Sequence, residues 1–337
     1  MITSVLEAKR HITFVEGSIP EPDEGEALVR MSYVGVCGSD LHRYNCDWPL
    51  VKPLTIGHEP SGVVAAVGGG VTHLKEGDEV TVEPAKPCLK CRLCLNGRYN
   101  LCRDVIAVPL DMPGAFAEYL LFDASFVYKL PTGVNLQTGA LTEPLAVALH
   151  ALEQTGARPG RTAAVLGTGV IGLLCVMCLK AYGVIDIIAV DVLENRLLAA
   201  RNAGASHTVN IKSSEVLDAV NEITGGSGVD IVIEASGNVD SVMNTPYLAA
   251  HAGTIVQVGA VSERVPIDYA ELMRKEAVIR HSLKYCNNFN TALAMLKAGS
   301  VPADSIITHV FPFDRLNEAL SFTMDHPEQC IKTLISF

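Results

Sequence analysis

The chain has 337 residues, a net charge of −11, 49% hydrophobic residues and 19% charged residues. This length suits two domains, and this composition is typical of a folded globular protein and not of a disordered one. A negative surface repels phosphate backbones, which argues against nucleic acid as a partner. The residues after Met1 lack the apolar core of a signal peptide, so we expect a cytoplasmic protein.

The first part of the chain, to about Leu141, is predicted to form short strands separated by turns. Apolar, β-branched runs indicate strands at Glu26–Val36, Gly62–Val67 and Glu79–Glu83. The glycines at 68–70 and the segment 76–78 indicate turns between them.

From about Gly160 the pattern changes, because strand-like runs now alternate with runs of helix length. The predicted strands are Ala163–Leu166, Ile185–Val190, Val229–Ala235 and Thr254–Val258, and the predicted helices are Val170–Tyr182 and Glu194–Ala203. This alternation predicts an α/β domain with a doubly wound parallel sheet. The uncharged stretch Ala163–Leu179 is therefore interpreted as a buried strand and helix and not as a membrane span. A helix at Phe289–Ala298 and a strand at Ile331–Ile335 close the chain, and we expect this tail to return to the first domain.

A glycine-rich motif follows the first of these parallel strands. Gly167-Thr168-Gly169-Val170-Ile171-Gly172 is a G-x-G-x-x-G motif that follows the strand and opens the predicted helix. Such glycines let backbone N–H groups approach a pyrophosphate at a helix N-terminus. Asp191, nineteen residues after Gly172, ends the next strand, where a carboxylate can bind a ribose 2′-hydroxyl and repel a 2′-phosphate. The motif predicts NAD in preference to NADP. Arg196 is expected to lie against the adenosine. Its positive charge leaves open that the site also tolerates the 2′-phosphate of NADP.

Four of the ten cysteines, Cys88, Cys91, Cys94 and Cys102, form a C-x2-C-x2-C-x7-C cluster. Four thiolates from one loop can close a tetrahedron around Zn²⁺, which predicts a structural zinc site. An iron–sulfur cluster is the alternative interpretation of these four residues. A further pair, Cys175 and Cys178, also has metal-binding spacing, but it lies in the apolar helix and is interpreted as part of the core.

A second metal site is predicted from Cys37, His58 and Glu59, which supply a thiolate, an imidazole and a carboxylate. Such a set leaves one zinc position for water or substrate. Glu143, near the domain boundary, is a fourth candidate. Zinc with one thiolate and one carboxylate is neutral, and a second bound carboxylate would make the site negative. Glu143 is therefore expected to hold a zinc-bound water or to exchange with Glu59, and the choice of permanent ligand stays open.

Together these residues resemble the zinc-containing medium-chain alcohol dehydrogenase family, over essentially the whole chain. The run Gly57-His58-Glu59-x-x-Gly62 matches the family's zinc signature, and the cysteine cluster matches its structural-zinc lobe. The resemblance implies a GroES-like β catalytic domain over 1–145 and a Rossmann NAD-binding domain over 146–283. It also implies a C-terminal return to the catalytic domain over 284–337, an active site in the cleft between the domains, and a homo-oligomer that is a dimer or a tetramer.

Within the family the chain is similar to the sorbitol (polyol) dehydrogenase branch. The run from Cys37 to His42 and the run Glu143-Pro144-Leu145 resemble that branch, and Lys284-Tyr285-Cys286-Asn287 resembles its Arg-Tyr-Cys-Asn substrate segment. Two cations depart from the pattern: Lys284 replaces the arginine, and Arg43 stands where an aromatic residue is common. These two cations leave open an anionic substrate, such as a sugar acid, a sugar phosphate or an amino acid. It is equally open that Arg43 is a solvated surface residue.

The expected activity is oxidation of a secondary alcohol of a polyol or sugar-derived substrate by zinc and NAD. Ser39 is expected to accept the alcohol proton and His42 to pass it to solvent, while Lys284 and Tyr285 contact the substrate. An L-threonine 3-dehydrogenase-like or a sugar-acid or sugar-phosphate dehydrogenase is the alternative function. A zinc-free reductase of the same fold and a non-catalytic NAD-binding protein are the alternatives from other classes.

Overall fold

The computed structural model describes residues 1–337, which form two compact units. The first unit comprises Met1–Glu143, Phe289–Ala298 and Ala303–Phe337. The second comprises Pro144–Asn288 and Gly299–Pro302.

The chain builds the first unit up to Glu143, then the second unit, and returns largely to the first unit from Phe289. Up to residue 155 they are β1 (Ile2–Ala8), β2 (His11–Glu16), β3 (Glu26–Gly35), α1 (Gly38–Tyr44), β4 (Glu59–Val67), β5 (Glu79–Val82), β6 (Ala85–Lys86), α2 (Arg92–Leu95), β7 (Ile106–Ala107), β8 (Tyr119–Asp123), β9 (Val127–Lys129), α3 (Leu136–Gly139) and α4 (Thr142–Thr155). From residue 162 to residue 281 they are β10 (Thr162–Leu166), α5 (Val170–Ala181), β11 (Asp186–Asp191), α6 (Glu194–Ala203), β12 (His207–Asn210), α7 (Val216–Thr224), β13 (Val229–Glu234), α8 (Val239–Leu248), β14 (Ala249–Gln257), α9 (Tyr269–Lys275) and β15 (Val278–His281). The chain ends with α10 (Phe289–Ala298), β16 (Ile307–Pro312), α11 (Leu316–Asp325) and β17 (Lys332–Ser336).

The first unit is built on a seven-stranded sheet. Its strand order is β16-β17-β3-β4-β5-β9, and β8 also pairs with β3. The last strand of the chain, β17, runs antiparallel to β3, with Leu334 opposite Gly35. Because β3 also pairs with β4, strands from the start and the end of the chain meet within one sheet around the candidate zinc ligands.

The second unit contains a six-stranded sheet with the order β12-β11-β10-β13-β14-β15. All of its strand pairs are parallel. Its central strand β10 is apolar on both faces, with Ala163, Ala164 and Val165 fully buried, as a sheet covered by helices requires. The predicted doubly wound sheet is confirmed, and no helix in the structure is long and apolar enough to cross a membrane.

Two predicted elements differ from those observed. The region before Leu141, predicted as strands and turns, also contains the short helices α1, α2 and α3. Helix α1 begins at the weak helix formers Gly38 and Ser39, because Cys37 caps it and the Asp40 side chain accepts the Cys37 N–H. The strand predicted at Thr254–Val258 begins earlier, at Ala249, and its register against β13 shifts between Ala249 and Thr254. His251 and Gly253 interrupt the apolar run before Thr254 and hide this extension from the pattern of apolar residues.

Candidate active site and cofactor sites

Three of the predicted zinc ligands converge in the first unit. Ligand atoms of Cys37, His58 and Glu59 all lie within 4.8 Å of one another. Cys37 is the N-cap of α1, and His58 directly precedes Glu59, the first residue of β4. A thiolate, an imidazole and a carboxylate at this separation fit a zinc ion with one position left open.

Asp40 ties these ligand-bearing segments together from a fully buried position. Its carboxylate accepts the backbone N–H of Cys37 at 3.1 Å and that of Gly57 at 3.0 Å. One of its oxygens also lies 3.5 Å from Nδ1 of His58, a buried nitrogen that makes no well-formed hydrogen bond. Burial raises the pKa of Asp40, but the charge of His58 and the hydrogen bonds more than offset this and lower it. An ionised Asp40 next to Nδ1 orients the ring so that Nε2 is available to a metal.

A buried cation also belongs to this site, and the sequence did not reveal it. The ammonium group of Lys332, on β17, forms an ion pair with Glu59 and donates a hydrogen bond to the carbonyl of Val36 at 2.9 Å. Both side chains are almost completely buried, and Gly35 leaves room for them, since a Cβ there would lie 1.9 Å from Glu59 Oε2. With both Lys332 and the ionised Asp40 counted, zinc, Cys37 and Glu59 leave the site neutral. A second bound carboxylate would therefore still make it negative.

The remaining residues predicted for catalysis occupy α1 and α4. Glu143 lies in the first turn of α4 and is buried. Ser39 is half-buried on α1, and the side chain of His42, one turn further on, is 55% exposed. Arg43 is half-buried and its guanidinium carbon lies 5.1 Å from the centre of the Trp48 ring. Arg43 is therefore not the freely solvated side chain of the alternative interpretation.

The four clustered cysteines of the lobe are close enough to share one metal ion. Their Sγ atoms are 3.5 Å apart for Cys91 and Cys94, and 4.0 Å apart both for Cys88 and Cys94 and for Cys91 and Cys102. Four sulfurs bound tetrahedrally at about 2.3 Å from zinc are roughly 3.8 Å from each other. Backbone N–H groups of Lys90 and Cys91 lower the pKa of Cys88 to about 7, whereas burial and the neighbouring thiols raise the pKa of Cys94 to about 12, as expected for interacting thiols in a small volume. The donor set thus fits a structural zinc ion.

The other cysteine pair has no such geometry. Cys175 and Cys178 are fully buried in α5. Burial raises the pKa of Cys175 to about 12 and that of Cys178 further. Their interpretation as core residues is confirmed.

The glycine motif lies at the carboxyl end of β10 and at the start of α5. It borders a cavity of about 500 Å³ lined by Gly167, Gly169, Asp191 and Arg196. A Cβ on Gly172 would lie 1.9 Å from the carbonyl oxygen of Gly167, so only glycine fits there. Val170 and Ile171 form the first turn of α5, whose N-terminal N–H groups suit a pyrophosphate.

Asp191 already holds this loop in place. Its carboxylate accepts the backbone N–H and the hydroxyl of Thr168 at 2.7 and 3.1 Å, and the N–H groups of Val192 and Leu193 at 2.7 and 3.0 Å. A carboxylate has about four lone-pair sites. Arg196 lies 4.0 Å from the same carboxylate, and its buried Nε makes no hydrogen bond.

The predicted substrate segment follows β15 in the second unit. Lys284 is half-buried and has a left-handed backbone with φ of 53°, and Tyr285 is 3% exposed. The segment is fixed by Asn288, which accepts the N–H of Cys286 at 2.9 Å and donates to Glu153 at 2.8 Å. Tyr285 is therefore held by a packed turn and not by a loose loop.

Comparison with known proteins agrees with this geometry. The alcohol dehydrogenase GroES-like domain family matches residues 23–132, and the zinc-binding dehydrogenase family matches residues 170–298. D-xylulose reductase A of Aspergillus niger is 36% identical over 346 residues, covering 99% of this chain and 96% of the relative. The chain belongs to the zinc-containing medium-chain alcohol dehydrogenase family. Sorbitol dehydrogenase of Bacillus subtilis is 32% identical over 99% of this chain and 97% of its own length. The crystal structure of L-idonate 5-dehydrogenase from Escherichia coli is 30% identical, has a TM-score of 0.91, and covers 100% of this chain and 98% of its own.

Membership of this family fixes the class of chemistry. The chain is an oxidoreductase of the polyol dehydrogenase-like branch that uses zinc and NAD. Among the open interpretations of the cysteine lobe, family membership favours zinc over an iron–sulfur cluster. Similarity to sorbitol dehydrogenase and D-xylulose reductase over 99% of the chain also argues against the zinc-free reductase.

Proposed function

We propose that this enzyme oxidises a secondary alcohol of a polyol to a ketone, with Cys37, His58 and Glu59 as the ligands of its catalytic zinc. The observation that carries the proposal is the convergence of these three ligand atoms in a chain similar to sorbitol dehydrogenase and D-xylulose reductase. When bound, zinc polarises the alcohol hydroxyl and NAD accepts the hydride. The chain itself must hold the ligands, position the substrate and remove a proton.

Ser39 and His42 are the residues assigned to proton removal. Both lie on α1, whose N-cap is the ligand Cys37, so one rigid element carries the metal ligand and the proton path. Ser39 is half-buried, while the His42 side chain is more than half exposed. This gradient of exposure supports Ser39 as the group that accepts the alcohol proton and His42 as the group that releases it to solvent.

Glu143 is assigned to the open zinc position, where it holds water or exchanges with Glu59. Charge supports this assignment, because the site is already neutral with Lys332 and Asp40 counted, and neutrality disfavours a second permanently bound carboxylate. The buried position of Glu143 also favours a role inside the protein over one at the surface.

An anionic sugar derivative is the second candidate substrate. Arg43, on α1, supports it, and the solved relative named for L-idonate shows that this fold is compatible with a sugar acid. Partial burial lowers the pKa of Arg43, partly offset by Asp40, and an arginine keeps its charge at neutral pH. Lys284, the other cation of the sequence analysis, would act with the buried Tyr285 in binding substrate.

The domains are assigned to 1–145, 146–283 and 284–337, the last returning to the catalytic domain, and the protein is placed in the cytoplasm. It is assigned as a homo-oligomer, supported by the unpaired edge strand β15 and the apolar residues around it. Among cofactors NAD is preferred, supported by the position of Asp191 at the end of β11.

The test is a substrate panel with the zinc-loaded enzyme. Neutral polyols, sugar acids, sugar phosphates and L-threonine are each supplied with NAD or NADP, and formation of the reduced cofactor is followed by absorbance. We expect turnover of neutral polyols with NAD, and Arg43→Ala should change it little. Activity confined to anions and lost in Arg43→Ala would replace the polyol by the anionic candidate. A zinc-loaded enzyme inactive on the whole panel would overturn both.

A further inference from the structure

His42 is held in one orientation by the turn that follows α1. Its Nδ1 lies 3.0 Å from Oδ2 of Asp47, and the backbone N–H of Asp47 donates to the carbonyl of His42 at 2.9 Å. The other oxygen of Asp47 accepts a hydrogen bond from Asn45 at 2.7 Å. Two separate bonds therefore join Asp47 to His42, and a third fixes the carboxylate itself.

Trp48 packs on the same imidazole. The two rings are stacked, with centroids 5.2 Å apart and planes at 25°. The guanidinium of Arg43 contacts the same indole. The chain can fold back in this way because Cys46 has a left-handed backbone, with φ of 55°. Together Asp47 and Trp48 restrain the His42 ring in both its plane and its rotation.

We propose that Asp47 and Trp48 are positioning residues that fix His42 as its Nδ1–H tautomer, so that Nε2 is the atom that exchanges protons with solvent. A carboxylate can only accept a hydrogen bond, which requires a proton on Nδ1. The neutral ring then has its free lone pair on Nε2. This inference rests on the proposed function for the role of His42 in catalysis, but the clamp itself can be measured without any turnover.

The charges around His42 set the direction of the expected effect. Asp47 is the anion in contact with it, and the pKa of Asp47 is lowered, first by the hydrogen bond with His42 and then by that with Asn45. The cations nearby are Arg43 on α1, Lys9, which acts on Asp47, and Arg10, which bonds Asn45. An ionised Asp47 accepts a hydrogen bond from the proton on Nδ1 and cannot donate one, so removing this acceptor removes the preference for Nδ1–H.

The tautomer of the His42 ring is measured directly by 15N NMR of the full-length protein labelled at histidine, because a protonated ring nitrogen and one with a free lone pair give well-separated shifts. His42→Gln assigns the signals by removing them. We expect the neutral ring of the wild type to carry its proton on Nδ1. In Asp47→Leu, which is similar in size and can neither accept nor donate a hydrogen bond, this preference for Nδ1–H should be lost.

Glu16→Gln is the matched control, since it removes one exposed carboxylate from the same unit and should leave the tautomer of His42 unchanged. A wild-type ring with its proton on Nε2, or a tautomer unchanged in Asp47→Leu, would overturn the clamp. The kcat of the same variants separates the two proposals. A loss of kcat that accompanies the change of tautomer supports both. A changed tautomer with an unmoved kcat supports the clamp and removes His42 from the proton path of the proposed function.

Discussion

At the scale of single residues, breaking the ion pair of Lys332 and Glu59 is expected to have the largest effect on the free energy of unfolding. Both groups are withdrawn from water, and removal of one partner leaves the other charge buried and unpaired, which costs about 3–5 kcal/mol. Lys332→Met should therefore lower the free energy of unfolding by about that amount, and Lys332→Arg should lower it less. The double variant Glu59→Gln with Lys332→Met should recover most of the loss, because it leaves neither charge alone.

This prediction is checked by urea unfolding of the variants, with and without a zinc chelator, analysed as a double-mutant cycle. The chelated series separates the ion pair from metal binding by Glu59. A double variant as unstable as Lys332→Met in the chelated protein would show that the pair does not act as a unit.

Residues differ in how far the sequence could reveal them. The four cysteines of the lobe, the glycines of the nucleotide loop and Asp191 lie within short segments with known spacing, so local pattern was enough to find them. Lys332 is 273 residues from Glu59, and only the pairing of β17 with β3 brings the two together. Asp40 was visible in the motif around Cys37, but its contact with Gly57 and His58 depends on the fold of two separate segments.

At the scale of elements, the end of helix α8 depends on a single lysine. The ammonium of Lys275, on α9, donates to the carbonyls of Pro246, Tyr247 and Ala249 at 2.8–3.0 Å. These carbonyls lie at the carboxyl end of α8, where helix groups lack partners of their own. Lys275 is 9% exposed, so water cannot easily replace it.

Lys275→Met should lower the free energy of unfolding of the second unit by about 2–3 kcal/mol, because buried carbonyls lose their donor. The measurement is thermal unfolding followed by circular dichroism. Lys297→Met, at the exposed end of α10, is the matched control and should leave the transition in place. Equal transitions for both variants would mean that the bonds of Lys275 contribute little to stability.

Elements of regular periodicity were the easiest to predict. The helices Glu194–Ala203 and Phe289–Ala298 have the predicted bounds. Helix α1 was missed because its first turn consists of residues that favour turns. The helix forms because the side chain of Asp40 accepts the N–H of its N-cap, Cys37. Local propensity was therefore least informative for α1, the helix that is capped by Cys37 and carries Ser39 and His42.

At the scale of the molecule, the order of the parallel strands leaves β15 at the edge of its sheet. The N–H and carbonyl groups on the outer side of an edge strand are open to pairing with another chain. Beside β15 lies a groove of about 1100 Å³. Large apolar side chains border it, and Tyr269 and Met273 are 76% and 78% exposed. An exposed apolar surface of this kind next to an open strand is typical of a protein–protein interface, and the assigned homo-oligomer would cover it with a second copy of the same chain.

The double variant Tyr269→Glu with Met273→Glu should weaken this association, because each charge would be buried without a partner. The measurement is molar mass by light scattering during size-exclusion chromatography, where the wild type should exceed the 36.0 kDa of one chain and the variant should approach it. Ile19→Glu, at a half-exposed apolar residue of the first unit, is the control and should keep the wild-type mass. A wild type of one chain would remove the homo-oligomer. If the variant stayed oligomeric, the interface would have to lie away from β15, because two buried like charges at the apolar border would destabilise an interface there.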